Sequence, residues 1–127
     1  MPVTNFTEHT QPLSDEEQYH IVPSLIKVLK EKAYDKSHWL SSKNLIREVE
    51  GDYRQKTDKE LWLKDYRLRA MINYIVVKQL LPVASSSNGY WVMATAEEFD
   101  TQIKSLNERA NSIKSRAHAL KTMMNEL

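Results

Sequence analysis

From Phe99 onward the apolar residues fall alternately four and three positions apart, without a miss, to the end of the chain: Phe99, Ile103, Leu106, Ala110, Ile113, Ala117, Leu120, Met124 and Leu127. Only a helix brings residues at that spacing onto one stripe, and a stripe held this long has coiled-coil character. Thr95-Ala96-Glu97-Glu98 stands just before it as a capping box, in which the threonine oxygen and the glutamate carboxylate satisfy free amides of the first turn. The spacing therefore predicts one long C-terminal helix over 95–127, with Phe99, Ile103, Leu106, Ala110, Ile113, Ala117, Leu120 and Met124 as its association surface.

The remaining length fits one compact domain of 14–94, preceded by a mobile polar tail of 1–13. Hydrophobic residues form 41% of the 127-residue chain, enough for one core and not obviously for two. Ser14-Asp15-Glu16-Glu17 is a second capping box. The apolar series Tyr19, Val22, Ile26, Leu29 and Ala33 then reads as a first helix over about 15–33, kinked or split at Pro23. Ser37 to Leu40 is a short apolar link with the character of a brief strand. Ser41 or Ser42 opens a second helix through about Val49, with Gly51 as a left-handed C-terminal residue. Residues 52–57 read as a polar loop. Thr57-Asp58-Lys59-Glu60 forms a third capping box before a short helical piece holding Leu61, Trp62 and Leu63.

Asp65 to Leu80 is the strongest internal helix, stopped by Pro82. On a wheel of about 100° per residue, Leu68, Met71, Ile72, Ile75 and Gln79 share one side, whereas Tyr66, Arg67, Ala70, Asn73, Tyr74 and Val77 share the other. Two strands follow, Val83–Ser85 and Tyr90–Met93. Ser86-Ser87-Asn88-Gly89 is the turn, because Asn-Gly tolerates positive φ. The expected fold is mainly α with a small β-hairpin: a winged helix-turn-helix followed by a long, coiled-coil-like C-terminal helix.

Charge is distributed unevenly. Lys and Arg (18) nearly balance Asp and Glu (17), yet residues 1–63 carry nine basic against eleven acidic side chains, and residues 64–127 carry nine against six. Basic groups gathered on one face suffice for DNA binding without a basic chain overall. There are no cysteines, which fits a reducing cytoplasm. No apolar run approaches a membrane span, and the N-terminus has neither the basic start nor the apolar stretch of a signal peptide. Asn5-Phe6-Thr7 matches a glycosylation sequon that has no meaning without secretion. His9, His20, His38 and His118 lack metal-ligand spacing, two glycines make no phosphate-binding loop, and no local Ser–His–Asp arrangement stands out. The sequence is read as non-enzymatic, without cofactor, small-molecule substrate or membrane partner.

The helix, helix, helix, hairpin order is that of winged-helix folds, in which the third helix enters the major groove and the wing touches the neighbouring backbone. The stretches Leu40-Ser41-Ser42-Lys43-Asn44-Leu45, Asp65 to Asn73 and Pro82 to Trp91 resemble small winged-helix proteins of phage, prophage and mobile-element replication or regulatory regions. The resemblance spans about 40–105, roughly half the chain. It departs from the pattern between Gly51 and Lys64, where such proteins turn quickly from second to third helix. It implies sequence- or structure-specific binding of double-stranded DNA.

The third helix carries its own physical case. Arg67 and Arg69 can reach phosphate or guanine edges, Asn73 offers the amide that suits adenine, and Ala70 allows close approach. Tyr66 and Tyr74 can touch backbone or bases, and Lys64 adds charge at the entry. Ser86, Ser87 and Asn88 at the wing tip can donate to phosphates. An ordinary solvated face and simple turn chemistry are the plainer readings of the same residues. The wing has no Lys or Arg between Lys78 and Lys104, which favours a second class of function, a protein-interaction adaptor that keeps the fold and binds no nucleic acid. Trp39, Trp62 and Trp91 read as core rather than as stacking platforms.

In the C-terminal helix, Phe99, Leu106, Ile113 and Leu120 take d positions, and Ile103, Ala110, Ala117 and Met124 take a. A parallel self-pair would set Arg109 against Lys114 and Arg116 against Lys121, which repel. Three partners remain: the first helix of the same chain with Glu16, Glu17 and Glu31, a different acidic helix, or further copies arranged antiparallel or as a larger bundle. Dimerisation of some kind is the expectation, because an isolated apolar stripe this long would otherwise be exposed.

Overall fold

The computed structural model describes residues 12–127. The expected mobile tail falls mainly outside this range, as do the Asn5 sequon and His9. Among the described residues the chain is mainly helical with one two-stranded antiparallel sheet, and it divides into a unit ending at Met93 and a second unit, Ala94–Leu127.

The entry to the first helix is the capping box that the sequence announces. The Ser14 amide donates to Glu17 Oε1 at 2.9 Å, and the Glu17 amide donates to Ser14 Oγ at 3.1 Å. A π-helical turn, Glu17–Ile21, then leads into α1, Val22–Lys32, with Pro23 at its first turn. The wider π turn lies where an α-helical proline would strike the preceding turn, so the helix changes pitch instead of breaking. Leu25, Val28 and Leu29 of α1 are buried, as is Ala33, whose carbonyl accepts from the Val92 amide at 2.8 Å.

The short link contains a 3-10 turn, Lys36–His38, and ends in a single bridge. Leu40 and Tyr90 exchange backbone hydrogen bonds at 2.9 and 2.8 Å. Ser41, rather than Ser42, caps α2, Ser42–Thr57, by accepting from the Asn44 amide at 3.1 Å.

The second helix departs from the sequence expectation. It runs through Gly51 and takes in 52–57, expected as a loop. Its inward stripe of Leu45 and Val49 continues to Tyr53, which is buried and donates its hydroxyl to Glu16. A glycine inside a helix costs about 0.5–1 kcal/mol relative to alanine. Burying an aromatic side chain returns roughly 1.5–3 kcal/mol, so the helix continues. The left-handed residue is Asp58, with φ of 60°. The Thr57 hydroxyl donates back to the Tyr53 carbonyl at 2.8 Å and accepts from the Lys59 amide, so Thr57–Glu60 opens no helix. Residues 59–64 have no regular structure. Leu61 and Leu63 turn inward, and the Leu63 amide donates to Glu50 Oε2 at 2.8 Å. Alternation along this stretch sends Trp62 outward, 82% exposed, and Trp39 is exposed beside Leu40, contrary to the core assignment for both.

Helix α3, Asp65–Val77, buries Leu68, Met71, Ile72 and Ile75. It stops before Leu80, and Gln79 leaves its core side. Gln79 is left-handed at φ 58°, with its amide on the Val76 carbonyl and the Leu80 amide on the Ile75 carbonyl. That pair of bonds is a Schellman ending, so the helix closes before Pro82 is reached. Strands β1, Val83–Ser85, and β2, Tyr90–Val92, pair Val83 with Val92, Ala84 with Trp91 and Ser85 with Tyr90. The hairpin is as expected, but the reason for its glycine differs. Neither Asn88 nor Gly89 has positive φ. A Cβ on Gly89 would collide with the Leu40 carbonyl and stand 2.9 Å from Ser41 Cα. Close approach of two chain segments, not turn dihedrals, requires glycine there.

The second unit is α4, Ala96–Asn125, with both halves of the Thr95–Glu98 capping box formed.

Candidate nucleic-acid interface

On α3 the buried stripe turns Tyr66, Arg69, Ala70, Asn73, Tyr74 and Val77 away from the core centre. Arg69, Asn73 and Val77 are exposed, while Tyr66, Ala70 and Tyr74 are half-buried, Tyr74 packing against the core edge. The Lys64 ammonium lies 5.9 Å from the centre of the Tyr66 ring, within cation–π range. Arg69 pairs with Asp65 at 2.9 Å one helical turn back, and both side chains are about half exposed. Such a pair contributes about 0–1 kcal/mol, so Arg69 is only weakly engaged.

Arg67 is placed differently. Its Nη2 and Nε donate to the two oxygens of Glu17 at 2.6 and 2.8 Å, and both side chains are largely shielded. Partial burial pushes the Glu17 carboxyl up, but the Arg67 hydrogen bonds, together with those from the Ser14 amide and hydroxyl, outweigh it and hold the group below the usual glutamate range. Arg67 therefore fastens α3 to the start of the first helix.

At the hairpin tip Ser86, Ser87 and Asn88 are exposed. The Asn88 amide donates to Ser86 Oγ at 3.1 Å, which occupies the serine locally. An open groove of about 450 Å³ between α2 and α3 is lined by Ser42, Lys43, Ile46, Arg47, Glu50 and Asp65. Lys43 and Arg47 are exposed cations beside the start of α3 that the sequence reading did not select. Their four-residue spacing on the outer side of the second helix was the available signal.

Tyr34, Asp35, Ser37 and His38 also meet on the surface. His38 Nδ1 lies 2.7 Å from Asp35 and 3.2 Å from Ser37 Oγ, while Nε2 faces the Tyr34 hydroxyl at 2.9 Å. A relay that activates serine needs the hydroxyl at the ring nitrogen opposite the aspartate. Here Ser37 sits on the aspartate side, where it donates to Asp35 at 2.9 Å. The His38 hydrogen bond, helped by Ser37 against a small desolvation, holds the Asp35 carboxyl below its usual range. The cluster caps a turn.

In the second unit no residue of α4 is buried. Phe99, Ile103, Leu106, Ile113, Leu120 and Met124 are between 39 and 64% exposed, with Ala110 and Ala117 in the same open stripe. Among the described residues no helix is long and apolar enough to cross a membrane. Compared with known proteins, the chain matches no family model, and no curated protein or solved structure is similar to it.

Proposed function

We propose that the chain is a cofactor-free winged-helix protein that binds duplex DNA as a regulator or replication accessory factor, with α3 in the major groove and the hairpin as its wing. The observation that carries this reading is the outward face of α3, where exposed Asn73 stands beside the weakly engaged Arg69 and the low Ala70, on a helix next to the hairpin. The Leu40–Tyr90 bridge adds support, because it ties the segment before the second helix to the hairpin and so holds the hairpin against the helical body. The resemblance to the small phage and mobile-element proteins belongs to the same proposal. In it Lys64, Lys43 and Arg47 meet phosphates, Asn73 reads a base edge, and Arg67 acts through Glu17 by holding the helix at its angle.

Selection of bound sequences from a random duplex pool, followed by anisotropy titrations over a series of salt concentrations, tests it. Affinity falls linearly with salt on logarithmic axes, and Arg69→Ala reduces the slope by about 1. Asn73→Ala relaxes preference at one position by about 1–3 kcal/mol. Absence of binding to any duplex at low salt overturns the proposal.

A second reading, a protein-interaction adaptor, is favoured by the exposed Val76, Val77 and Leu80 at the end of α3, and by the absence of Lys and Arg from the hairpin. It predicts no duplex binding under the same conditions.

A further inference from the structure

We propose that two copies of the chain pair through α4 in antiparallel orientation, in the register that sets Ile103 against the partner's Leu120. Side-chain size selects this arrangement. In antiparallel helix pairs the a positions meet d positions, whereas in parallel pairs a meets a. The register places Phe99 on the partner's Met124, Leu106 on the partner's Ala117 and Ala110 on the partner's Ile113. Each small residue faces a large one, and the eight open positions from Phe99 to Met124 are all covered. Parallel pairing would put Ala110 on the partner's Ala110 and Ala117 on the partner's Ala117, leaving two thin layers with space that nothing fills.

Flanking charge selects the same arrangement. Asp100 comes beside the partner's Lys121, and Asn107 beside the partner's Lys114. Asp100 is exposed and already holds Lys104 at 3.1 Å with one oxygen, leaving the other to accept from a second cation. Arg109 beside the partner's Arg116 is the one repulsive contact, made twice by symmetry at the solvent edge. Parallel pairing has two repulsive contacts, Arg109 with the partner's Lys114 and Arg116 with the partner's Lys121, each made twice, and gives Asp100 no cation. A two-fold axis between Asn111 and Ser112 makes the contact self-complementary and closed, so association stops at two. None of this depends on DNA binding, and the test contains no nucleic acid.

The absence of cysteine in the chain allows a clean orientation test on the full-length protein. Light scattering is expected to give a dimer. Ile103→Cys and Leu120→Cys chains, each oxidised alone, are expected to stay uncrosslinked, because like positions lie far apart along the antiparallel pair. Mixed, they are expected to form a disulfide-linked heterodimer. Lys121→Asp keeps the apolar stripe intact and is expected to weaken the dimer several-fold, with Asp100→Lys in the same chain restoring it. A monomer at all accessible concentrations, self-crosslinking of either single cysteine chain, or tighter dimerisation by Lys121→Asp overturns the proposal.

Discussion

Arg67 grips Glu17 with a two-pronged contact, Nη2 on Oε1 at 2.6 Å and Nε on Oε2 at 2.8 Å, joining residues 50 positions apart. The same carboxylate accepts from the Ser14 amide, so one side chain both starts the first helix and anchors the third. Arg67→Ala is expected to destabilise the domain by about 1–3 kcal/mol, since it leaves a shielded carboxylate without its cation. Glu17→Gln should cost less, because the amide oxygen still accepts at the cap. The double variant should fall short of the sum of the singles, as shared partners are not additive. Urea midpoints of the four proteins measure this, and an additive result removes the coupling.

Acid should weaken the fold through the same group. The Glu17 carboxyl is held low in the folded chain. So is Asp52, by the Lys27 hydrogen bond at 2.9 Å, which outweighs its burial. A carboxyl with a depressed folded pKa binds fewer protons folded than unfolded. Its contribution is complete above the unfolded value, near 4.5 for glutamate and 3.8 for aspartate, and is lost as pH falls below it through the folded value. Denaturation series from neutral to acid pH should show the wild type losing stability over that range and Glu17→Gln losing less. Equal slopes would remove Glu17 from the account.

Gly89→Ala is expected to cost about 2–4 kcal/mol, because the methyl group meets backbone at Leu40 and Ser41 that no side-chain rotation clears. Thermal melts followed by circular dichroism read the loss. A melt unchanged from wild type would mean that the two segments separate without cost.

Two further substitutions should stabilise, in opposite chemical directions. A Cβ at Gly51 meets nothing within 4 Å, so Gly51→Ala should add about 0.5–1 kcal/mol by helix propensity alone. Gln79 carries a left-handed backbone that glycine adopts freely, so Gln79→Gly should add a similar amount, about 0.5–1 kcal/mol. Equilibrium unfolding in denaturant distinguishes them from neutral surface changes.

The elements that were legible in the sequence are those fixed by neighbours. Ser14 with Glu17 and Thr95 with Glu98 are three residues apart, and both form the expected caps. The 3.6-residue period sorted Leu68, Met71, Ile72 and Ile75 inward and left Asn73 outward. What escaped depends on contacts distant along the chain. Gly51 is a plausible helix end until Tyr53 is seen to reach Glu16. Thr57 and Glu60 have cap spacing, but Asp58 has already turned the chain left-handed. Asn88-Gly89 marks the hairpin correctly, while the demand on glycine comes from Leu40. Nothing local to Arg67 indicates Glu17, nor does local pattern bring Lys43 and Arg47 beside the start of α3.

The Leu40–Tyr90 bridge bears on the order in which the domain assembles. It closes a large loop of chain, whereas the helices form from near neighbours, and such closure is delayed until most of the intervening structure exists. A contact that forms after the rate-limiting barrier is expected to show in the unfolding arm alone. Damage to the bridge would then accelerate unfolding and leave the folding rate almost untouched, and folding and unfolding rates of a Gly89→Ala chain over a denaturant series read which arm moves.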